Sequence, residues 1–133
     1  MTDELLLQFA ERSLSTAYAP YSGFAVAAAI ITSDGKIFCG VNVESASYGL
    51  SCCAERVALY SAVSQGHRSF SAIAVAADVP VTPCGACRQA LYEFSPSMRV
   101  ITRTAEGKTK SVILRDYLPD GFTLKPRKSR TRY

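Results

Sequence analysis

The sequence predicts an α/β fold in which one mixed β-sheet has helices packed on its faces. The 133 residues are enough for one domain with a single core, and the hydrophobic fraction of 48% with 20% charged residues is typical of globular proteins. Apolar residues alternate along the chain between helical and strand periods. An early hairpin followed by two strand–loop–helix units requires both antiparallel and parallel pairing, and therefore a mixed sheet.

The first helix and the hairpin are predicted in the N-terminal third of the chain. Apolar residues recur at helical spacing across residues 3–16, and Pro20 follows in a turn. Two apolar runs, residues 24–32 and residues 37–43, are separated by the turn sequence Ser33-Asp34-Gly35. Such runs on either side of a short turn predict a β-hairpin.

The remaining elements follow a loop of small and polar residues at 44–51. In order they are a helix at 52–65, a strand at 71–77, a helix at 84–94, strands at 98–104 and 110–112, and a last short helix at 113–118. The complete order is α-β-β-α-β-α-β-β-α, without internal repeats or an interdomain linker.

The net charge of +4 has its origin in the C-terminal end. Five positive charges lie in the last nine residues, which contain no acidic side chain: Lys125, Arg127, Lys128, Arg130 and Arg132. Without them the chain carries −1. We therefore expect one domain at residues 1–122 and a flexible basic tail at 123–133, and we expect no nucleic-acid partner. The alternative is an arm that touches RNA or an acidic partner.

The N-terminal sequence has no basic region followed by a long apolar stretch, and no apolar run approaches the length of a membrane helix. We expect a soluble cytoplasmic protein that has no membrane partner. The five cysteines are an odd number, at positions 39, 52, 53, 84 and 87. In a protein without an export signal, this pattern favours metal or redox chemistry over disulfides.

Three of these cysteines form a candidate metal site. Cys53 and Cys84 each begin a predicted helix after a loop, where unpaired N–H groups stabilise thiolates. Cys87 is three residues further along the second helix and so lies on the face of Cys84. Three ligands with one open position are typical of catalytic zinc. Glu55 is placed to reach that position and to take a proton from a water there.

The other two cysteines are not expected to be ligands. Cys52 adjoins Cys53 in the predicted helix, where neighbouring side chains point about 100° apart. Cys39 lies in a predicted strand and is expected to be a small core residue. Cys-x-x-Cys alone also occurs in zinc knuckles and redox sites. Together with a Cys-x-Glu segment, with thirty residues between Cys53 and Cys84, it matches zinc deaminases that use a glutamate as general acid and base.

The sequence resembles the small cytidine deaminases in five runs, in the family's order and at similar spacing. They are Tyr18-Ala19-Pro20-Tyr21-Ser22-Gly23-Phe24, Asn42-Val43-Glu44, Cys53-Ala54-Glu55-Arg56, Pro83-Cys84-Gly85-Ala86-Cys87-Arg88-Gln89 and Leu118-Pro119-Asp120-Gly121-Phe122. The resemblance implies zinc-dependent hydrolytic deamination of cytidine and 2′-deoxycytidine, with release of ammonia, in pyrimidine salvage. It also implies a three-layer α/β/α fold with a five-stranded sheet, and a homotetramer.

The resemblance also implies a role for each matching residue. It makes Cys53, Cys84 and Cys87 the zinc ligands and Glu55 the residue that transfers protons. Asn42 and Glu44 would hold the ribose, and Phe24 would pack against the base. The Ala54 backbone and Glu55 would bind the edge of the base, and Tyr48 and Phe122 would reach a neighbouring subunit's site. Arg56 is placed to donate to a cysteine sulfur and to offset the charge of three thiolates.

Three alternatives remain. A zinc deaminase of a blasticidin-type antibiotic would share the cysteines and Glu55, but it would not need the sugar-binding pair Asn42 and Glu44. Polynucleotide editing is suggested only by the basic tail. A structural zinc or redox module would lack an exchangeable water, or would form a reversible disulfide between Cys84 and Cys87.

Overall fold

The computed structural model describes residues 1–127, and the last six residues of the predicted tail lie outside the described part. The predicted order of elements is confirmed. The helices are α1 (Asp3–Ser13), α2 (Ala54–Ser64), α3 (Gly85–Tyr92) and α4 (Leu114–Tyr117), and the strands are β1 (Val26–Thr32), β2 (Ile37–Val41), β3 (Phe70–Ala77), β4 (Arg99–Arg103) and β5 (Thr109–Ile113). Two 3₁₀ turns lie at Leu14–Thr16 and Tyr48–Leu50.

The five strands form one mixed sheet in the order β2-β1-β3-β4-β5. The hairpin of β1 and β2 is antiparallel, as predicted, and β1 also pairs antiparallel with β3. β3 and β4 are parallel, and α3 lies in the crossover between them. β4 and β5 close the sheet as a second antiparallel pair. The predicted mixed five-stranded sheet is confirmed.

Alternating residues of the central strands divide the interior into two apolar clusters, which confirms the three-layer arrangement. In β3, Ile73 and Val75 belong to the cluster that includes α2, α3 and α4, whereas Ala72 and Ala74 belong to the cluster formed with α1. A strand buried on both faces is expected to be apolar, as this strand is from Ala72 to Ala77. The alanines on the α1 side allow that helix to approach the sheet closely.

Helix α2 lies very close to β2 because Gly40 has no side chain. A Cβ atom built at Gly40 would lie 2.4 Å from the Ala58 nitrogen and 2.7 Å from the Ala54 oxygen. The backbone of the helix therefore rests directly on the backbone of the strand. This contact fixes the height of the N-terminal end of α2 above the sheet.

Two details of the predicted strands are wrong. Cys39 is exposed rather than part of the core. Cys39 lies on the edge strand β2, next to Gly40, whose position faces α2, so the Cys39 side chain points to the opposite face of the sheet. On that face α1 packs mainly on β1 and β3, and it leaves Cys39 exposed. Phe24 precedes β1 instead of starting it, because side chains rather than a neighbouring strand bind the backbone of this segment.

No helix within residues 1–127 is both long enough and apolar enough to cross a membrane.

Candidate metal centre and substrate pockets

The N-terminal ends of α2 and α3 meet at the three cysteines. Cys53 and Cys84 are the N-cap residues of these helices, both with extended backbone, and neither side chain caps its own helix. Cys87 lies in the first turn of α3 and is completely buried. The Sγ atoms of Cys53 and Cys84 are 3.8 Å apart, and all three sulfur atoms lie within 4.8 Å of one another. This cluster could hold a metal ion.

The donor set fits zinc. Three thiolates are the soft ligands that zinc favours, and a Zn–S distance of about 2.3 Å in a tetrahedron places two sulfur atoms about 3.8 Å apart. The observed separation of the Cys53 and Cys84 sulfur atoms, 3.8 Å, matches that value. Among residues 1–127, the cluster contains three protein donors rather than four. This arrangement leaves room for one non-protein ligand, as in catalytic zinc sites.

The pKa values of the two thiols at the start of α3 shift in opposite directions. Burial opposes ionisation of Cys84, but the N–H groups of Cys87 and Ala86 and the neighbouring thiols lower its pKa. Burial and the negative charges of Glu55 and Cys53 raise the pKa of Cys87. A bound cation displaces the proton of a coordinating thiol, so Cys87 depends on the metal for its ionisation.

Cys52 is not part of the cluster, but the predicted reason was wrong. Helix α2 begins at Ala54, so neither Cys52 nor Cys53 lies within it. Cys52 pairs instead with Val43 in an isolated antiparallel bridge. Successive side chains of an extended backbone point to opposite sides, and this separates Cys52 from the sulfur of Cys53.

Arg56 contacts the cysteine cluster, where its sequence position places it. Its Nη2 donates to the Cys53 sulfur at 3.4 Å. This bond and the nearby Cys87 sulfur raise the pKa of the guanidinium, which therefore stays charged. A permanent positive charge thus lies beside two of the three sulfur atoms.

Glu55 is almost completely buried, with 4% of its surface exposed. Burial raises the pKa of its carboxyl group above the usual value, although its own backbone N–H and the charge of Arg56 oppose the shift. A carboxyl group with a raised pKa is suited to accept and return protons near neutral pH.

A pocket of about 200 Å³ joins the cysteines to the predicted base-binding residues. Six predicted site residues line it: Phe24, Asn42, Cys53, Ala54, Glu55 and Cys84. Glu55 therefore borders the same small cavity as Cys53 and Cys84, whereas the buried Cys87 does not line it. Its apolar walls, which include Val26 and Val75, suit a flat heteroaromatic ring.

A second pocket of about 260 Å³ contains the other predicted sugar-binding residue. Glu44 and Tyr48 line it together with Tyr21, Ser22, Ser45 and Ser51. Tyr21 and Tyr48 pack edge to face, with ring centroids 6.3 Å apart. Eight predicted site residues therefore line one of these two pockets, and the segment from Asn42 to Glu44 contributes to both.

Asn42 and Glu44 both bind the segment that carries Phe24. The Asn42 amide accepts the Val26 N–H at 2.9 Å and donates to the Phe24 carbonyl at 2.8 Å. The Glu44 carboxylate accepts from the N–H of Tyr21 at 3.0 Å. Both side chains therefore contact the same segment, residues 21–26.

Phe122 lines neither pocket and is 65% exposed. The Gln89 amide fixes its backbone with two hydrogen bonds, one from Gln89 Nε2 to the Phe122 carbonyl at 2.9 Å and one from the Phe122 N–H to Gln89 Oε1 at 3.1 Å. Gly121 rests against the Tyr92 ring, where an added Cβ would lie 2.7 Å from ring carbons. The exposed ring is therefore attached to a rigid backbone.

Sequence reasoning assigned no role to Ser22 or Gln89, although both lie in the runs that carry the resemblance. Their partners are Glu44 and Phe122, more than twenty residues away in each case. A serine or glutamine beside a motif has many surface uses, so residue type and position alone did not single them out.

Comparison with known proteins identifies the family. Residues 1–104 match the family described as the cytidine and deoxycytidylate deaminase zinc-binding region. The chain is 44% identical over 126 residues to a cytidine deaminase of Halalkalibacterium halodurans, which covers 92% of this chain and 96% of that protein. A cytidine deaminase of Sporosarcina psychrophila is 43% identical over 126 residues, covering 92% of this chain and 93% of the relative.

Solved structures agree with this assignment. The crystal structure of cytidine deaminase from Burkholderia pseudomallei superposes with a TM-score of 0.86 at 47% identity, covering 92% of this chain and 100% of that chain. The crystal structure of cytidine deaminase from Mycobacterium tuberculosis superposes with a TM-score of 0.80 at 35% identity, covering 93% of this chain and 99% of that chain. With its three-cysteine cluster at the start of two helices, the chain belongs to the zinc-binding cytidine and deoxycytidylate deaminase family.

Proposed function

We propose that this protein hydrolyses cytidine and 2′-deoxycytidine to uridine and 2′-deoxyuridine, with release of ammonia. One observation carries the proposal: the buried Glu55 shares a small pocket with Cys53 and Cys84 of the cysteine cluster, in a chain of the deaminase family. The pocket's size and apolar walls suit a pyrimidine, and deaminase relatives match nearly the whole chain.

In this proposal, Cys53, Cys84 and Cys87 hold one zinc ion. When bound, the zinc acts as a Lewis acid that lowers the pKa of a water molecule to about 7. The observed sulfur separation of 3.8 Å supports the assignment. Arg56, 3.4 Å from the Cys53 sulfur, offsets part of the negative charge of three thiolates around a divalent ion.

Glu55 moves the protons of the reaction. Its carboxylate takes a proton from the attacking water and delivers it to N3 of the pyrimidine, while the oxygen of the water adds to C4. Glu55 then transfers the second proton to the amino group, which leaves as ammonia. Burial of Glu55 supports this role, because a raised pKa brings its carboxyl group nearer to the working pH.

The two pockets divide substrate binding between them. Phe24 packs against the base, and the Ala54 backbone reads its edge in the smaller pocket. Asn42 and Glu44 hold the ribose and especially its 3′-hydroxyl group. An ionised carboxylate only accepts hydrogen bonds, so Glu44 favours a hydroxyl group and repels a 3′-phosphate. This property favours free nucleosides over polynucleotides.

We infer a homotetramer in which Tyr48 and Phe122 reach a neighbouring subunit's site. Both aromatic side chains are well exposed, at 76% and 65%, and the Phe122 backbone is held in place by Gln89. Light scattering should give a mass about four times that of the chain. A monomer with full activity would contradict this arrangement.

The deaminase domain is proposed to comprise residues 1–122, followed by a basic tail that is not required for deamination. We also propose a cytoplasmic location, where free nucleosides are salvaged. Deletion of residues 123–133 should leave the turnover of cytidine unchanged.

The decisive test follows the ultraviolet absorbance of cytidine, with and without a zinc chelator. We expect deamination to stop in the chelator and to return when zinc is added. Glu55→Gln should retain zinc yet lose activity by about 100-fold or more, because general acid–base catalysis contributes 10²–10⁴-fold. Near-normal turnover by this variant would reject the proton role. Faster ammonia release from a blasticidin-type antibiotic than from cytidine would instead indicate the other class of deaminase.

A further inference from the structure

The hydroxyl group of Ser22 connects the two halves of the proposed substrate site. It accepts the N–H of Phe24 at 3.0 Å and donates its own proton to Oε2 of Glu44. These directions are forced, because a backbone N–H only donates and an ionised carboxylate only accepts. One side-chain oxygen thus joins the backbone of the residue proposed for the base to the carboxylate proposed for the sugar.

The donors around Glu44 are divided unequally between its two oxygens. Oε1 accepts two backbone N–H groups, from Tyr21 at 3.0 Å and from Ser22 at 3.1 Å. Within residues 1–127, Oε2 has one hydrogen-bond donor, the Ser22 hydroxyl group. Loss of that hydroxyl group would leave the carboxylate attached through Oε1 and free to rotate about it.

We propose that Ser22 is a positioning residue that orients the Glu44 carboxylate towards a sugar hydroxyl group and so makes the enzyme selective for an intact 3′-hydroxyl. This inference rests on the proposed role of Glu44 in sugar binding. Ser22 does not line the pocket that contains Glu55, Cys53 and Cys84. Its contribution is to hold one acceptor oxygen in place before the substrate arrives, which reduces the entropy lost on binding.

Two further observations support the role. The hydrogen bond from Ser22 is the largest cause of a lowered Glu44 pKa, so the same contact favours the ionised, acceptor-only form of the carboxylate. Ser22 and Glu44 both line the 260 Å³ pocket, and Ser22 is exposed rather than part of the core. A substitution at this position therefore affects the pocket without removing apolar packing.

The test compares cytidine with 3′-deoxycytidine, which lacks the hydroxyl group assigned to Glu44. The wild-type enzyme should have a higher kcat/KM for cytidine. Ser22→Ala should lower kcat/KM for cytidine about tenfold, mainly through KM, because one hydrogen bond to a charged group is lost. For 3′-deoxycytidine the loss should be threefold or less, since only the contact of Ser22 with the Phe24 N–H affects both substrates.

Matched variants separate positioning from folding. Ser64→Ala removes another exposed serine hydroxyl group, whose partner is the Ser61 carbonyl, and should leave both substrates unaffected. Ser22→Thr keeps the hydroxyl group and should recover most of the selectivity. Should Ser22→Ala be insoluble, Ser22→Cys keeps the shape with a much weaker donor and should give the same loss of selectivity.

The outcomes distinguish this inference from the one on which it rests. An equal loss on both substrates in Ser22→Ala, while the wild type still discriminates, would overturn the positioning role alone. A wild-type enzyme that processes cytidine and 3′-deoxycytidine equally well would reject the sugar role of Glu44 and the role of Ser22 with it. An enzyme without activity on either nucleoside would reject the proposed function itself.

Discussion

Gly40 offers a direct test of how the sheet positions the metal centre. The substitution Gly40→Ala adds one methyl group between β2 and α2. That methyl carbon would lie 2.4 Å from the Ala58 nitrogen and 2.7 Å from the Ala54 oxygen. Both neighbours are backbone atoms, so no side-chain rotation can relieve the overlap.

The size of the effect follows from these distances. Ordinary contacts between heavy atoms begin near 3.5 Å, so α2 must move away from β2 by about 1 Å. Overpacking of a core typically costs about 1–3 kcal/mol, and a clash with backbone belongs at the upper end of that range. We therefore expect Gly40→Ala to lower the free energy of unfolding by about 3 kcal/mol.

The same displacement reaches the proposed active site, because α2 carries Glu55 in its first turn and Cys53 at its N-cap. A misplacement of about 1 Å can reduce catalysis about 100-fold. Urea unfolding with an unchanged m-value measures the stability, and metal analysis with cytidine turnover measures the site. Gly40→Ala should lose stability, zinc affinity and activity together.

The control for stability is Gly49→Ala, since a Cβ atom at Gly49 would have no other atom within 4 Å. This variant should unfold within about 0.5 kcal/mol of the wild type. If Gly40→Ala matched it in stability and bound zinc normally, close backbone contact between β2 and α2 would not be what fixes the metal centre.

Two other predictions concern stability. Ser95 is buried, and its Oγ accepts a hydrogen bond from the N–H of buried Phe70 at 2.9 Å. Ser95→Ala should therefore lower the free energy of unfolding, measured by urea titration, by about 1–3 kcal/mol. A loss of stability below about 0.5 kcal/mol would contradict this prediction. Hydrogen bonds, first from Arg103 and then from Gln8, lower the pKa of Glu4 from 4.5 to about 2. Ionised Glu4 therefore stabilises the fold above pH 4.5, and this contribution disappears as the pH falls towards 2. Glu4→Gln should show a weaker dependence of stability on pH across that interval, and parallel curves for the two proteins would contradict the assignment.

Local patterns in the sequence were sufficient to predict the order of elements. Helical and strand periods, turn residues and prolines act over a few residues, so they gave the number and type of the helices and strands correctly. The cysteine cluster was predictable for a related reason. Metal ligands must be particular residue types at particular spacings, and Cys53, Cys84 and Cys87 meet in space as their pattern indicates.

Element ends were less predictable than element types. The second helix was predicted from Cys52 but begins at Ala54, which changes how Cys52 and Cys53 point. Phe24 was predicted in a strand but lies before it. In both cases the end depends on which groups satisfy the terminal backbone atoms, and those groups come from distant parts of the chain.

By itself, the sequence determined the α/β class, the order of elements, the cluster of three cysteines and the nearby Glu55, because each depends on residue type and short-range spacing. Only the tertiary structure decided that Cys39 is exposed, that Gly40 supports α2, and that Ser22 holds Glu44. These features depend on which segments the fold brings together across fourteen or more residues. No short-range period in a sequence encodes such a contact, because it is made by the packing of the whole domain.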